Sequence, residues 1–282
     1  MRRRAARDGR GGDGMEQKEY RKLHAEWYEL VSAATDPDPE VAYLAAKIRE
    51  LGQPALELGS GTGKILLPLL AQGLDVIGID TSPDMTARCL AAGAAQGLQP
   101  VVHAQSMLDF ALPSSFRTII LDSGGLGLFT EDRDIAAAFQ RVMAHLELGG
   151  HFLYDFQLVP AHYEDNDRWT GDWICASDGA VLAWRKQMRH DPVTHVWRWL
   201  LVVEKFVDGR LVETEANERW GRTYTLEQAL GYARAAGFED IRATDWLSAD
   251  PPQATSKLIS VQCRKPRAAQ PALPAQRGPH SS

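Results

Sequence analysis

Alternating glycines follow a short apolar run near residue 55, and an isolated acid follows them. Residues 55–63 read Ala-Leu-Glu-Leu-Gly-Ser-Gly-Thr-Gly, and the next apolar run ends on the carboxylate of Asp80. Glycines let backbone N–H groups approach a ligand closely because they have no Cβ, and the start of the next helix favours anionic groups. An acid at the end of the second strand can accept hydrogen bonds from both ribose hydroxyls. The spacing therefore predicts a site for a cofactor that contains adenosine.

The spacing of these glycines is not that of a dinucleotide site. A dinucleotide fingerprint reads Gly-x-Gly-x-x-Gly, but the glycines here are Gly59, Gly61 and Gly63, and Lys64 occupies the place of the third fingerprint glycine. Any tight turn between a strand and a helix also favours glycine. The acid at Asp80 favours a ligand site over a plain turn.

Strand and helix signals alternate through the first half of the chain, as in a parallel sheet with helices on both faces. Ser82 and Pro83 are a typical helix start. Strands are predicted near residues 54–58, 74–80, 100–104, 117–122 and 150–156, and helices near 63–72, 84–96 and 132–147.

The alternation stops after residue 160. Three successive strands joined by turn sequences predict an antiparallel meander, at 180–190, 194–206 and 211–220. The chain then returns to one helix and two strands, at 225–236, 238–247 and 256–263.

Two helices are predicted before the first strand. In the earlier one Tyr20, Leu23, Trp27 and Leu30 recur at spacings of three and four residues, which places them on one helix face. The second covers residues 40–51.

The order acid, x, Gly, x, Gly, x, Gly, which begins at Glu57, resembles motif I of the class I S-adenosylmethionine-dependent methyltransferases. Gly-Gly-His-Phe-Leu-Tyr-Asp at 149–155 and Ala-Ala-Gly-Phe at 235–238 extend the resemblance to the small-molecule branch, which contains amino-sugar and glycine N-methyltransferases. The resemblance implies an α/β fold with a Rossmann-like seven-stranded sheet in the order 3-2-1-4-5-7-6, in which strand 7 is antiparallel. An N-terminal helical lid and the inserted meander would complete the fold.

These patterns divide the chain into five parts. The meander would cover the acceptor site as an insert in the core, and both ends have the composition of solvated tails. The expected divisions are a tail at 1–14, the lid at 15–53, the S-adenosylmethionine-binding core at 54–160 and 221–263, the insert at 161–220 and a tail at 264–282.

The resemblance also implies which residues hold S-adenosylmethionine. The three motif glycines would line its methionine portion, with the carbonyl of Gly59 receiving the amino group, and Asp80 would bind the ribose. Thr81 and Met85 would lie near the adenine, and Tyr28 would be a lid aromatic near the sulfonium. The positions assigned to the cofactor are Tyr28, Glu57, Gly59, Ser60, Gly61, Gly63, Asp80, Thr81, Met85, Ser106, Met107 and Asp122.

The adenine contact departs from the family pattern. The family often has an acid at the end of strand 3, but Ser106 stands at that position. A serine hydroxyl can accept one hydrogen bond, so Ser106 with Met107 is the preferred contact, and Asp109 is the alternative.

Methyl transfer from an activated sulfonium requires alignment and exclusion of water more than a catalytic triad. The candidates for removing a proton from the acceptor are His162, Tyr163 and Glu204. A histidine titrates near neutrality and suits this task. Glu204 would pair either with an acceptor ammonium or with Arg198. No metal is expected, because Asp155 alone does not form a site for a hard cation.

Aromatic residues are the best indication of the acceptor. Tryptophan can line a pocket for a flat or cationic substrate, although a three-stranded layer also needs a core. Six of the eight tryptophans lie in or beside the meander, at Trp169, Trp173, Trp184, Trp197, Trp199 and Trp220.

The predicted function is methyl transfer to a small molecule, at an amine nitrogen or an electron-rich aromatic carbon. One alternative is a methyltransferase of protein or nucleic acid, but Asp122 is followed by Ser and Gly rather than the Pro-Pro turn of nucleobase enzymes. Another alternative is a noncatalytic S-adenosylmethionine-binding protein.

Composition supports this reading. The formal charge of −6 gives no basic surface for nucleic acid, and no apolar run reaches the roughly 20 residues of a membrane span. The three cysteines lack paired spacing. We therefore expect a cytoplasmic enzyme of secondary metabolism, monomeric or homodimeric, with no nucleic-acid or membrane partner.

Overall fold

Two β-sheets and the helices around them make up the computed structural model, which describes residues 20–35, 38–160 and 168–267. In these ranges no helix has both the length and the apolar character needed to cross a bilayer. The helices are α1 Lys22–Ala33, α2 Asp38–Leu51, α3 Leu66–Ala71, α4 Pro83–Ala95, α5 Asp132–His145 and α6 Leu226–Ala235, with a short 3-10 helix at Gly125–Leu128. The strands are β1 Ala55–Leu58, β2 Val76–Ile79, β3 Val102–His103, β4 Phe116–Leu121, β5 Leu146–Gln157, β6 Thr170–Cys175, β7 Val181–His190, β8 Val196–Val207, β9 Arg210–Arg222, β10 Glu239–Asp245 and β11 Leu258–Arg264.

The large sheet has seven strands in the order β10-β11-β5-β4-β1-β2-β3. Strands β1 to β5 pair in parallel, and β11 is antiparallel to both β5 and β10. This is the order 3-2-1-4-5-7-6 with an antiparallel seventh strand. The fold class predicted from the sequence is therefore confirmed.

Local sequence explains where the central elements begin. All four residues of β1 are buried, as expected for a parallel strand with neighbours on both sides and helices on both faces. Helix α4 begins after Ser82, whose Oγ accepts a hydrogen bond from the backbone N–H of Met85 at 3.2 Å, and Pro83 fills its first turn. Helix α6 begins with a capping box between Thr225 and Gln228.

The second sheet differs from the prediction in its number of strands. It has four strands in the order β6-β7-β8-β9, and β6 was not predicted. Strand β6 is an edge strand in which Trp173 is 63% exposed, so it shows no alternation of buried and exposed positions. It also contains Gly171 and Asp172, which are both rare in strands.

Helix α1 packs against one face of this second sheet, which we call the inner face of the meander. Leu201 and Val203 of β8 are fully buried beneath it. The ring of Trp27 lies 6.0 Å from Trp184 and 6.1 Å from Trp199 in edge-on contacts. Two tryptophans of the meander, Trp184 and Trp199, thus pack in a core with the N-terminal helix, as the second sequence interpretation proposed for them.

A carboxylate of the meander holds the first turn of α1. Glu215 of β9 accepts hydrogen bonds from the backbone N–H groups of Leu23 at 2.9 Å and His24 at 3.3 Å. Its other oxygen lies 3.1 Å from Nδ1 of the buried His24. The unpaired N–H groups at a helix start favour such an anion, so Glu215 joins the helix to the sheet.

Replacement of Glu215 with alanine should weaken the attachment of α1 to the meander and destabilise the protein. Removing hydrogen bonds to a charged acceptor is expected to lower the free energy of unfolding by about 1.5–3 kcal/mol. The matched control is Glu227→Ala, which removes a surface pair with Arg234 where the glutamate is 82% exposed, and should change stability by less than about 0.5 kcal/mol. Urea unfolding of the three proteins measures both effects, and equal stabilities would contradict the role of Glu215.

Candidate active site

Acidic side chains meet at the carboxyl edge of the large sheet, where ligands bind in open α/β sheets. Glu57 lies near the end of β1, Asp80 and Asp122 directly follow β2 and β4, and Asp155 lies in β5 one residue beyond the Leu121–Tyr154 pair. Helix α2 adds Glu40. In the three described ranges, no three or more side chains converge in an arrangement that could hold a metal ion.

The glycine turn after β1 leaves room for a ligand. Gly59, Gly61 and Gly63 have φ values of +74°, +55° and +85°, a region that side chains other than glycine rarely adopt. A Cβ built on Gly59 would meet only the methyl end of Met107, at 3.1 Å. One built on Gly61 would lie 3.4 Å from the methyl end of Met85. Flexible methionine ends therefore border this turn, which fits a bound cofactor.

Asp80 connects the glycine turn to α4. Its Oδ2 accepts a hydrogen bond from the backbone N–H of Gly61 at 2.8 Å, and its Oδ1 accepts one from the N–H of Ser82 at 2.7 Å. A carboxylate has about four acceptor positions. Asp80 can thus hold the turn and still accept hydrogen bonds from a ligand.

Glu57 is a buried acid with an unpartnered atom. The residue is 2% exposed, and its Oε2 has no hydrogen-bond partner among the described residues. Burial raises the pKa of Glu57 well above its usual value, and Asp122, Asp80 and Glu40 raise it further. Such a carboxyl group provides an acceptor for a cationic or hydrogen-bond-donating ligand.

Asp122 shares hydrogen-bonding groups with Glu40. The hydroxyl of Ser123 lies 3.2 Å from Oε1 of Glu40 and 3.2 Å from Oδ2 of Asp122. Lys64 approaches the other oxygen of Glu40 to 3.7 Å. Burial raises the pKa of Asp122 to about 7, and the charge of Glu40 adds to this shift.

Asp155 lies beside Asp122 across the β4–β5 pair. Its Oδ2 accepts a hydrogen bond from the indole N–H of Trp246 at 3.0 Å, and burial raises its pKa to about 7. A cavity of about 10 Å³ is lined by both aspartates, Tyr43 and Ser260. This volume and its polar lining suit one water molecule.

Tyr28, a residue of α1, lies near the acidic edge of the large sheet. Its ring lies 5.0 Å from that of Tyr20. Burial raises the pKa of the Tyr28 phenol, and the nearby charges of Asp122 and Glu57 contribute to the shift. The structure therefore brings the lid tyrosine together with two of the predicted cofactor residues.

The predicted adenine contacts lie on the loop after β3. Oγ of Ser106 accepts a hydrogen bond from the backbone N–H of Leu108 at 3.1 Å, which stabilises the turn. Asp109 is exposed, as is Thr81, whereas Ser60 is buried and its Oγ has no hydrogen-bond partner among the described residues.

Of the three predicted catalytic residues, Glu204 lies among the described residues, and it is not at this edge. His162 and Tyr163 lie outside the described residues. Glu204 lies on the outer face of the meander, because strand alternation places it opposite Leu201 and Val203. There it pairs with Arg185 at 3.6 Å. The assignment of Glu204 to acceptor binding is therefore corrected.

The alternative prediction, that Glu204 pairs with Arg198, was also wrong. Arg198 pairs with Glu218 of the neighbouring strand rather than with Glu204.

Two of the groups at the site were not predicted. Glu40 reaches Ser123 across 83 residues of sequence, and Lys64 was noted only as a missing glycine. An acid at the start of a helix usually stabilises that helix, so the sequence carries no signal that could have assigned Glu40 to the site.

The raised pKa values predict a pH-dependent stability. An aspartate with a pKa of about 7 in the folded protein and 3.8 ordinarily binds more protons in the folded state between these values. The free energy of unfolding therefore falls as pH rises from about 4 to 7. Asp122→Asn should reduce this slope by up to about 1.4 kcal/mol per pH unit.

Denaturant unfolding across this pH window, without cofactor, measures the slope. The control is Asp75→Asn, an exposed residue before β2. His151 and His190, whose pKa values are lowered by burial, titrate in every variant and cancel in the difference from wild type. That difference measures Asp122 together with its effect on Asp155 and Glu57. Parallel profiles for wild type and Asp122→Asn would show that this carboxyl does not retain its proton.

Known proteins resemble this chain in sequence and in fold. Residues 55–150 match a family model described as a methyltransferase domain. A protein of Geobacillus sp. (strain WCH70), named provisionally as a methyltransferase, is 24% identical over 247 residues, which cover 86% of this chain and 98% of that protein.

Two solved structures show the likeness of fold. An S-adenosylmethionine-dependent methyltransferase from Clostridium acetobutylicum ATCC 824 has a TM-score of 0.69 at 18% identity, over 86% of this chain and 96% of its own. The sugar N-methyltransferase KedS8 from Streptoalloteichus sp. ATCC 53650 has a TM-score of 0.69 at 19% identity, over 95% of this chain and 100% of its own. Residues 55–150 thus match a methyltransferase domain, and the chain shares its fold with S-adenosylmethionine-dependent methyltransferases.

Proposed function

We propose that the enzyme methylates the basic nitrogen of a small-molecule amine. The observation that carries the proposal is the concentration of buried acids at the sheet edge. Glu57, Asp122 and Asp155 have pKa values raised by burial, and Lys64 is the cation that pairs within this group, through Glu40. A bound cation would favour the ionised form of these carboxyl groups and pair with them, which favours an amine over a neutral aromatic carbon.

The residues around the glycine turn suit the cofactor. When bound, S-adenosylmethionine supplies an electrophilic methyl group on a positively charged sulfur. The backbone of residues 59–63 would line its methionine portion, with Ser60 in the turn, and Asp80 would accept from the ribose. Oε2 of Glu57 is available to a cationic group. The remaining proposed contacts are those with the adenine, from Thr81, Met85, Ser106 and Met107.

Asp122 is the proposed proton acceptor. An amine must lose its proton before its lone pair can attack, and a carboxyl with a pKa of about 7 is suited to accept a proton at neutral pH. The cavity between Asp122 and Asp155 has room for one water molecule, which could take the proton from Asp122. Tyr28 covers the same edge from α1 and helps to exclude bulk water. His162 and Tyr163 remain alternatives proposed from the sequence alone.

The likeness to KedS8 supports nitrogen as the acceptor atom. That protein is named as a sugar N-methyltransferase, and it shares the fold over nearly the whole of this chain.

The role of Asp80 is tested by Asp80→Ala. Loss of charge-assisted hydrogen bonds to the ribose should weaken S-adenosylmethionine binding by about tenfold or more. Calorimetric titration with S-adenosylmethionine and S-adenosylhomocysteine measures this affinity. Asp75→Ala, at the opposite end of β2, is the control and should bind like wild type. Unchanged affinity in Asp80→Ala would refute the ribose assignment.

The acceptor class is tested with methyl-labelled S-adenosylmethionine and two probe sets, primary and secondary amines against phenols and indoles. The labelled methyl group should be transferred only to the amines. Asp122→Asn should lower kcat by about 100-fold while cofactor affinity is kept, and Asp75→Asn should leave both unchanged. Transfer to indoles but not amines would overturn the proposal.

A further inference from the structure

The inner face of the meander has an apolar end and a polar end. Helix α1 covers the apolar end at Leu201 and Val203. Farther along the same face, Trp199 of β8 is paired in register with Arg219 of β9. This polar end lies beyond Leu201 and Val203, the two residues that are fully buried beneath α1.

Arg219 and Trp199 are buried donors without acceptors. Arg219 is 8% exposed, and its Nη1 has no hydrogen-bond partner among the described residues. The same holds for the indole Nε1 of Trp199. Nearly all buried donors in folded proteins are satisfied, and a buried guanidinium without a partner is especially unfavourable. Two neighbouring donors in this condition indicate an acceptor group that the described residues do not supply.

Carboxylates nearby are already engaged. Glu215 lies on the same strand face as Arg219, but its oxygens bind the start of α1 and His24. In the described ranges no carboxylate pairs with Arg219. Lys186, whose Nζ lies 5.7 Å from the centre of the Trp199 ring, adds further positive charge.

A chain of aromatic contacts connects Arg219 to the acidic edge. Its guanidinium lies 3.6 Å from the centre of the Tyr20 ring, and that ring lies 5.0 Å from the ring of Tyr28. Tyr28 is near enough to Asp122 and Glu57 for their charges to affect it. Arg219 therefore lies on the side of the meander that faces the proposed methylation site.

We propose that Arg219 and Trp199 bind an oxyanion of the acceptor, so that the acceptor is an amine that also carries a carboxylate or a phosphate. The guanidinium would donate from Nη1 and the indole from Nε1, and charge-assisted donation to an oxyanion is strong. This proposal rests on the proposed function, because it assumes that the amine end lies at the acidic edge.

Binding is measured first, because it does not require turnover. The probes are 4-aminobutyrate and 2-aminoethyl phosphate, compared with the neutral analogues 4-aminobutyramide and ethanolamine, titrated by calorimetry in the presence of S-adenosylhomocysteine. Wild type should bind at least one anionic probe about tenfold more tightly than its neutral analogue. The comparison of the two anions identifies which oxyanion the site prefers.

Substitutions show which residues produce the preference for anionic over neutral probes. Arg219→Gln should abolish the preference, and Trp199→Phe should weaken it while keeping the ring that packs on Trp27. Arg198→Gln is the matched control, because Arg198 lies on the outer face of the same sheet and pairs with Glu218. Thermal unfolding checks that each variant is folded, and an unfolded Arg219→Gln is replaced in the comparison by Arg219→Lys, which should retain only part of the preference.

Turnover separates this inference from the proposed function. With methyl-labelled cofactor, Arg219→Gln should raise KM for anionic amines and leave kcat/KM for neutral amines unchanged. Equal binding of anionic and neutral probes to wild type, or an equal loss for both in Arg219→Gln, would overturn the oxyanion site even if amines are methylated. Anion binding that depends on Arg219, without methylation of any amine, would instead refute the proposed function alone.

Discussion

Burial of several carboxyl groups at one edge of a sheet is the constraint on which the site depends. A carboxylate removed from water is unfavourable unless it is paired or protonated. Ser123 and Trp246 supply hydrogen bonds to Asp122 and Asp155, yet the pKa of each aspartate still rises to about 7. The acidic edge therefore retains protons near neutrality, and a cation bound there would favour the ionised carboxylates. A sulfonium and an amine are both suited to the same electrostatic environment.

The lid and the meander form a single layer over this edge. Glu215 holds the start of α1, and the hydroxyl of Ser82 contacts the carbonyl of Tyr20 just before that helix. Ser82 also donates its backbone N–H to Asp80. A continuous set of contacts thus runs from the proposed ribose acid, through Tyr20, to Arg219 in the meander. In the proposed site, cofactor and acceptor recognition would therefore share residues rather than occupy separate parts of the fold.

The sequence predicted the core better than the site. Buried parallel strands are continuous apolar runs and helices are periodic, so β1, β2 and β4 could be located from short segments, whereas the exposed edge strand β6 could not. Strand alternation placed Trp199 and Glu204 on opposite faces but could not show which face α1 covers. Glu40 and Arg219 reach the site through contacts between distant segments, which no local pattern reports. The order of the strands came from family resemblance rather than from periodicity.

Opposite charges at the two ends of the proposed acceptor site would determine orientation as well as affinity. Acids lie at the sheet edge, Arg219 lies in the meander, and the rings of Tyr20 and Tyr28 lie between them. An amine that also carries an oxyanion has one arrangement in which both charges are matched, and in that arrangement its nitrogen faces the cofactor. Reversal would place like charges together, which is strongly unfavourable in a buried site. Orientation of a reacting group lowers the barrier to transfer, so a cation remote from the reacting nitrogen contributes to specificity without taking part in the chemistry.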